Sequence, residues 1–155
     1  PSAIFFQKGR NLMLLIDIAT VKADSALTNG YLREAANSFE KVIELTPNSH
    51  LGYQWKGRAL SALDPETTKG LAKECYLKAV SLLEGKNQPD KYRQDLIEGY
   101  RYLGYLNYLL YDKSKAEKNQ DQMTTYKTEA TVWWQKVLTL DPENTIAKQA
   151  LTALK

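Results

Sequence analysis

The stretch that decides the fold is Gly30–Asn48, GYLREAANSFEKVIELTPN. Its apolar residues recur at steps of three and four and form one stripe: Leu32, Ala35, Ala36, Phe39, Val42 and Ile43. Charged and amide side chains occupy the opposite face. This period predicts an amphipathic helix over 31–45 that packs on one side, and the segment 46–49 ends it and caps the next helix.

The same period runs through nearly the whole chain, and no comparable run alternates with period two, so we expect an all-α protein without a sheet. Glycine, proline and polar clusters then divide the chain into about seven predicted helices: 3–28, 31–45, 49–63, 66–83, 89–111, 114–139 and 143–154.

The helix boundaries come from local signals. Asn29-Gly30 is expected to end the first helix, and 85–89 and 112–115 are expected to be polar turns. Asp64-Pro65-Glu66 and Asp141-Pro142-Glu143 each offer a capping acid followed by proline, so they are predicted to begin the fourth and seventh helices.

Composition excludes several classes of protein. The chain has 155 residues, the size of one compact domain, and carries 21 basic and 18 acidic side chains, a net charge of +3. The excess is spread too evenly for an electrostatic nucleic-acid binder. The longest apolar run, Leu12–Ile16, is far shorter than the roughly 20 residues of a membrane span.

Enzyme and metal chemistry also lack candidates. The chain has one cysteine and one histidine, so no internal disulfide can form and a zinc site would need carboxylates almost throughout. Signatures of a nucleophile elbow, a phosphate loop, a zinc protease and a redox dithiol are all absent from the sequence. We therefore predict a non-enzymatic protein with no catalytic residue, no metal and no cofactor.

An internal repeat links three segments. Each has an alanine followed four residues later by an aromatic side chain, in the pairs Ala35 and Phe39, Ala72 and Tyr76, and Ala130 and Trp134. The helices between them carry YQWKG, ending at Gly57, and YRYLG, ending at Gly104. Small residues let helices approach, and large rings fill the space that they leave.

This pattern resembles the tetratricopeptide repeat (TPR), a 34-residue helix-turn-helix unit. The resemblance implies a right-handed α-solenoid of antiparallel helix pairs in a single domain, 1–155. Its parts would be an N-terminal helix with repeat 1 (1–47), repeat 2 (48–85), an elongated repeat 3 (86–142) and a capping helix (143–155). Repeat 1 departs from the pattern, because Lys22-Ala23 stands where Leu-Gly is usual.

The resemblance further implies a concave groove lined by the first helix of each repeat, binding a protein or peptide. Its positions correspond to Asp17, Thr20 and Asp24 in repeat 1, to Gln54, Trp55 and Arg58 in repeat 2, and to Arg101, Tyr102, Tyr105 and Tyr108 in repeat 3. Aromatic rings and arginines suit a peptide. Thr20 and Asp24 argue against the subclass that grips the C-terminal carboxylate of chaperones, because an acid there would repel it.

Two alternatives stay open at this point. The apolar N-terminal segment, Ala3–Ile18, carries more apolar surface than one face of a terminal helix should, which favours a homodimer, a structural oligomerisation module or a covering upstream segment. Binding of RNA or another polyanion through Arg58, Arg101 and the lysines of 113–127 is less favoured, because acids interleave with the bases.

A group of bacterial TPR proteins of the cell envelope is also similar, through LDPET at Leu63–Thr67 and DKSKA at Asp112–Ala116. That resemblance favours the periplasm or cell envelope over the cytoplasm. The start at Pro1, without a methionine, gives no argument for the cytoplasm.

Several conspicuous residues are expected to be structural. At least half of Tyr100, Tyr102, Tyr105, Tyr108 and Tyr111 should pack between helices, because one helix cannot turn all five in one direction. Trp133 and Trp134 are predicted core, Cys75 a small buried filler, and His50 a surface residue.

Overall fold

The structure, a computed structural model, describes the backbone of residues 1–21 and 25–155 and the side chains of 1–16 and 25–155. Within these residues there are seven helices and no strand. The helices are α1 (Ser2–Val21), α2 (Ser25–Leu45), α3 (His50–Leu63), α4 (Lys73–Glu84), α5 (Arg93–Ala116), α6 (Gln120–Leu140) and α7 (Thr145–Ala153). The all-α prediction is confirmed.

The chain divides into two compact units, Pro1–Leu82 and Leu83–Lys155. In the first unit α2 packs against both α1 and α3, and in the second α6 packs against both α5 and α7. Each unit is therefore built from helices that pack on their neighbours in the chain.

The predicted apolar stripe of α2 forms the centre of the first unit. Leu32, Ala35, Ala36, Phe39 and Val42 are buried, and Phe39 has no exposed surface. Burying such side chains contributes roughly 1.5 to 3 kcal/mol each for the larger ones, which orients α2 between its two neighbours.

Asn29-Gly30 does not end a helix, so that prediction is wrong. Gly30 lies inside α2, which begins at Ser25. A glycine in a helix costs only about 1 kcal/mol relative to alanine, and the buried stripe that follows outweighs this cost.

The two Asp-Pro-Glu motifs end the preceding helix instead of beginning the next, which corrects a second prediction. Asp64 is the C-cap of α3, and its buried carboxylate accepts hydrogen bonds from the backbone N–H of Lys69 at 3.0 and 3.3 Å. This interaction organises an irregular loop in which Thr67 and Gly70 have positive φ, and α4 starts only at Lys73.

Asp141 behaves in the same way at the C-terminal motif. It is the C-cap of α6, and its carboxylate accepts a hydrogen bond from the Asn144 side chain at 2.9 Å. Asn144 is the true N-cap of α7, since its Oδ1 accepts from the backbone N–H of Ala147 at 3.0 Å. An acid before proline can thus serve either helix, and the side-chain geometry decides which.

The turn predicted at 112–115 lies later in the chain. The helix α5 continues to Ala116, and Lys118 then takes a left-handed φ of 57° that closes it. Asn119 caps α6 by accepting from the backbone N–H of Gln122 at 3.2 Å. The turn predicted over 85–89 is confirmed.

At the start of α3 one prediction holds and one fails. Ser49 is the N-cap, as expected. His50 is buried, whereas a surface position was predicted. The reason is helical geometry, because His50 shares a face of α3 with the buried Gln54 and Gly57.

Close packing of glycine against an aromatic ring recurs in both units. An added Cβ would lie 2.6 Å from the Phe39 ring at Gly9, 3.2 Å from the Tyr76 ring at Gly57, and 2.9 Å from the Trp134 ring at Gly104. The close packing of a large ring that was predicted at Gly57 and Gly104 is confirmed. Gly9 was not foreseen, and it precedes Phe39 by 30 residues, the spacing that also separates Gly104 from Trp134.

Candidate partner-binding surfaces

The first unit contains a cluster of three rings, the Trp55 cluster, formed by Phe6 of α1, Phe39 of α2 and Trp55 of α3. The Trp55 centroid lies 5.8 Å from that of Phe6, in an edge-on arrangement, and 5.8 Å from that of Phe39. Phe39 is fully buried and Trp55 half-buried. The indole is therefore held in place by its neighbours while part of it faces outward.

Two guanidinium groups lie against the same indole. The Arg58 Cζ is 4.5 Å from the Trp55 centroid, and the Arg10 Cζ is 5.4 Å from it. Each cation over the ring contributes about 0.5 to 1 kcal/mol at such an exposed site. This surface offers an apolar plane beside two planar cations, a combination that suits peptide side chains and carboxylates.

The predicted repeat 2 residues are not equally accessible. Trp55 and Arg58 lie together at the surface of the cluster, but Gln54 is only 2% exposed and cannot meet a partner without rearrangement. The predicted repeat 1 positions Asp17, Thr20 and Asp24 lie outside the residues whose side chains are described.

In the second unit, α5 presents a surface that we call the α5 face, formed by Arg101, Tyr105 and Tyr108. These residues follow at steps of four and three, so they share one side of the helix. Arg101 is exposed, Tyr105 is 44% exposed and Tyr108 is half-buried. Tyr102 is half-buried on an adjoining side of the helix.

The remaining tyrosines of α5 divide between core and surface. Tyr100 is buried and Tyr111 half-buried. Trp134 is buried as predicted, and Trp133 is half-buried with its ring 5.8 Å from that of Tyr100. Tyr100 is thus a structural residue, and it does not belong to the α5 face.

Tyr100 belongs to a polar contact within the second unit, together with Glu84 and Lys136. Its hydroxyl donates to Glu84 Oε1 at 2.8 Å, and Lys136 Nζ donates to the same oxygen at 2.7 Å. Burial of the phenol, followed by the hydrogen bond and the negative charge of Glu84, raises the pKa of Tyr100 above its usual value.

The raised pKa predicts a loss of stability at alkaline pH. Above pH ~10 the unfolded tyrosine releases its proton while the folded one retains it, so the free energy of unfolding falls by up to about 1.4 kcal/mol per pH unit. The change Tyr100→Phe should remove this contribution. Urea unfolding of both proteins between about pH 8 and 11 checks it: a constant difference between them across that range would contradict the prediction.

Cys75 is buried, as predicted, and burial raises the pKa of its thiol. A raised pKa keeps the sulfur protonated at neutral pH, which makes it a poor nucleophile. Its role in the first unit is packing.

Sequence reasoning missed two neighbours of Trp55 on α1, the ring of Phe6 and the guanidinium of Arg10. Their spacing of four residues places them on one side of α1, and this spacing was the available signal. It could not be used without knowing that α1 lies beside Trp55, a contact between residues nearly fifty positions apart.

Residues 16–49 match the family model of the tetratricopeptide repeat. Among solved structures, the C-terminal part of a TPR repeat-containing protein from Cytophaga hutchinsonii is similar, with a TM-score of 0.68 and 28% sequence identity. The similarity covers 97% of this chain and 47% of that one, so this chain spans about half the length of that relative. No curated protein matches this chain.

The chain therefore contains a tetratricopeptide repeat and has the all-α solenoid fold of a TPR protein. Proteins of this kind generally mediate contacts between proteins. In the part of the chain that the structure describes, no helix is long and apolar enough to cross a membrane, and no cluster of acids, histidine or cysteine could hold a metal ion.

Proposed function

We propose that this protein is a non-enzymatic scaffold that binds a peptide segment of another protein. The α5 face carries the proposal, since Arg101 and Tyr105 are exposed side by side on a helix whose opposite side is core. Tyrosine and arginine, with tryptophan, are enriched among the residues that contribute most to binding energy at protein interfaces.

The chemistry of the α5 face suits an extended peptide. Tyrosine rings can cover apolar side chains while their hydroxyls bond to the peptide backbone. The Arg101 guanidinium can pair with a peptide carboxylate through two parallel hydrogen bonds. The Trp55 cluster offers the same combination in the first unit, through Trp55 and Arg58.

Peptides selected from a random display library against the wild-type protein provide the test. The double change Arg101→Ala/Tyr105→Ala should weaken their binding by at least about tenfold, since truncating a hot-spot residue of an interface costs about 2 kcal/mol or more. Arg58→Ala, measured with the same peptides, reports whether the Trp55 cluster contributes.

A matched control uses two exposed residues of the same unit outside the α5 face. The change Lys113→Ala/Val132→Ala removes a comparable cation and apolar side chain, with Lys113 about 120° around α5 from Arg101, and should leave peptide affinity unchanged. If peptides bind the α5 double variant as tightly as they bind the wild-type protein, the α5 face is not the site.

A further inference from the structure

One side of α1 carries apolar residues that no other part of the described chain covers. Ile4 is 73% exposed and Leu15 39% exposed, and they line a shallow groove along this helix. Lys8 and Asn11 lie between them, and all four share one side of the helix, within an arc of about 60° at 100° per residue. We call these four residues the α1 face.

The corresponding side of α5 is core. Gly9 of α1 and Gly104 of α5 each pack against an aromatic ring. Matching these two glycines makes each residue of α1 equivalent to the residue of α5 that lies 95 positions later. Under this offset the α1 face corresponds to Gly99, Leu103, Leu106 and Leu110, of which the first three are buried and the last is half-buried. The α1 face therefore occupies a position that is buried on the equivalent helix α5.

The α1 face is complementary to a second copy of itself that runs in the opposite direction. Its residues follow at steps of four, three and four, and its order is apolar, polar, polar, apolar, so it reads the same in both directions. An antiparallel copy would place Ile4 against Leu15 of the second copy and Lys8 against Asn11 of the second copy. This reciprocal matching is what a two-fold symmetric interface requires.

The polar centre is compatible with burial. Lys8 is already paired with Glu34, with 2.9 Å between Nζ and Oε1, so its charge is compensated. Asn11 Oδ1 accepts from Gln7 Nε2 at 2.8 Å and retains a second lone pair for a donor of the second copy. The ammonium group of Lys8 can only donate, and the amide oxygen of Asn11 accepts. Lys8 of one copy can therefore donate a hydrogen bond to Asn11 of the second copy.

We propose that the protein forms a two-fold symmetric homodimer in which the α1 faces of two copies pack antiparallel. The α1 face shares no residue with the α5 face or the Trp55 cluster, so dimerisation can be tested independently of peptide binding. It is much smaller than the about 20 to 30 residues per side of a standard interface. The dimer is therefore expected to dissociate on dilution.

Sedimentation equilibrium over a micromolar to millimolar concentration series tests the dimer. Ile4→Glu and Leu15→Lys should each weaken dimerisation by at least about tenfold, because each places a charge against an apolar side chain of the second copy. Combined in one chain, the two changes should restore dimerisation, because the acid of one copy then meets the lysine of the other. Leu71→Glu and Val132→Glu are matched controls at exposed apolar sites, 43% and 44% exposed, and should not alter it.

Disulfide cross-linking tests the antiparallel arrangement in a Cys75→Ala background. A mixture of the Ile4→Cys and Leu15→Cys proteins should cross-link, whereas Ile4→Cys alone should not, because residue 4 of the two copies would lie about 16 Å apart along the helix axis. A wild-type protein that is monomeric at every concentration, or a double variant that fails to dimerise, would overturn the proposal. So would cross-linking of Ile4→Cys with itself.

Discussion

Replacing Trp134 by alanine is expected to lower the free energy of unfolding of the second unit by about 3 to 5 kcal/mol, the usual cost of removing a buried large aromatic side chain. Trp134 is buried, and its ring faces Gly104 on α5, a position with no side chain that could move in to fill the cavity. The contact between α5 and α6 should loosen as a result.

The neighbouring Trp133 is a matched control, because it has the same side chain on the same helix. Trp133 is half-buried and packs beside Tyr100 at 5.8 Å between centroids. Trp133→Ala should lower the free energy of unfolding by about 0.5 to 1.5 kcal/mol for the lost ring pair, plus a contribution from partial burial. This loss is smaller than the one expected for Trp134→Ala. Urea unfolding followed by circular dichroism measures both variants, and equal losses would contradict the assignment of Trp134 as the packing aromatic.

Gly9→Ala is expected to lower the free energy of unfolding of the first unit by about 1 to 3 kcal/mol, although alanine is the better helix former. The added Cβ would lie 2.6 Å from a ring carbon of Phe39, a side chain with no exposed surface. Either α1 moves away from α2 or the ring leaves its preferred position.

Gly30 provides a control of opposite sign. It also lies inside a helix, but an added Cβ there would meet nothing within 4 Å. Gly30→Ala should therefore raise the free energy of unfolding by about 0.5 to 1 kcal/mol, by reducing the conformational entropy of the unfolded chain. Thermal and urea unfolding measure the stability of both variants. A gain in stability for both would mean that the Phe39 ring does not pack closely against Gly9.

A double-mutant cycle isolates the contact itself. If the loss at position 9 comes from the Phe39 ring, then Phe39→Leu, which is destabilising in its own right, should reduce the further cost of Gly9→Ala. Additive losses would place the effect of Gly9→Ala elsewhere, for instance in the unfolded chain.

The candidate site could be predicted only in part. The resemblance to the tetratricopeptide repeat indicated Arg101, Tyr102, Tyr105 and Tyr108, and helical geometry places all of these except Tyr102 on one side of α5. Spacing could not show that Gln54 is buried or that Arg10 lies beside Trp55, since these depend on which neighbouring helix covers each side. Sequence periodicity specifies a helix face, and the packing partner decides whether that face is core or surface.

The boundaries of the helices show the same division. The apolar stripe of 31–45 and the cap at Ser49 were predictable, because propensity, period and capping are local properties. The extent of α2 back to Ser25 was not predictable, because a helix stabilised by its packing can contain a glycine. The role of Asp64 was not predictable either, because an acid before proline can cap the helix on either side.

By itself, the sequence determined the helical class, the repeat and its pairing of small residues with large rings, because these depend on periods of a few residues. The tertiary structure alone decided that Gly9 is the partner of Phe39, that His50 is buried, and that none of the described residues covers the α1 face. Each of these depends on contacts between residues far apart in the chain. Such contacts are set by the balance of burial and steric exclusion across a whole unit, which no short segment encodes.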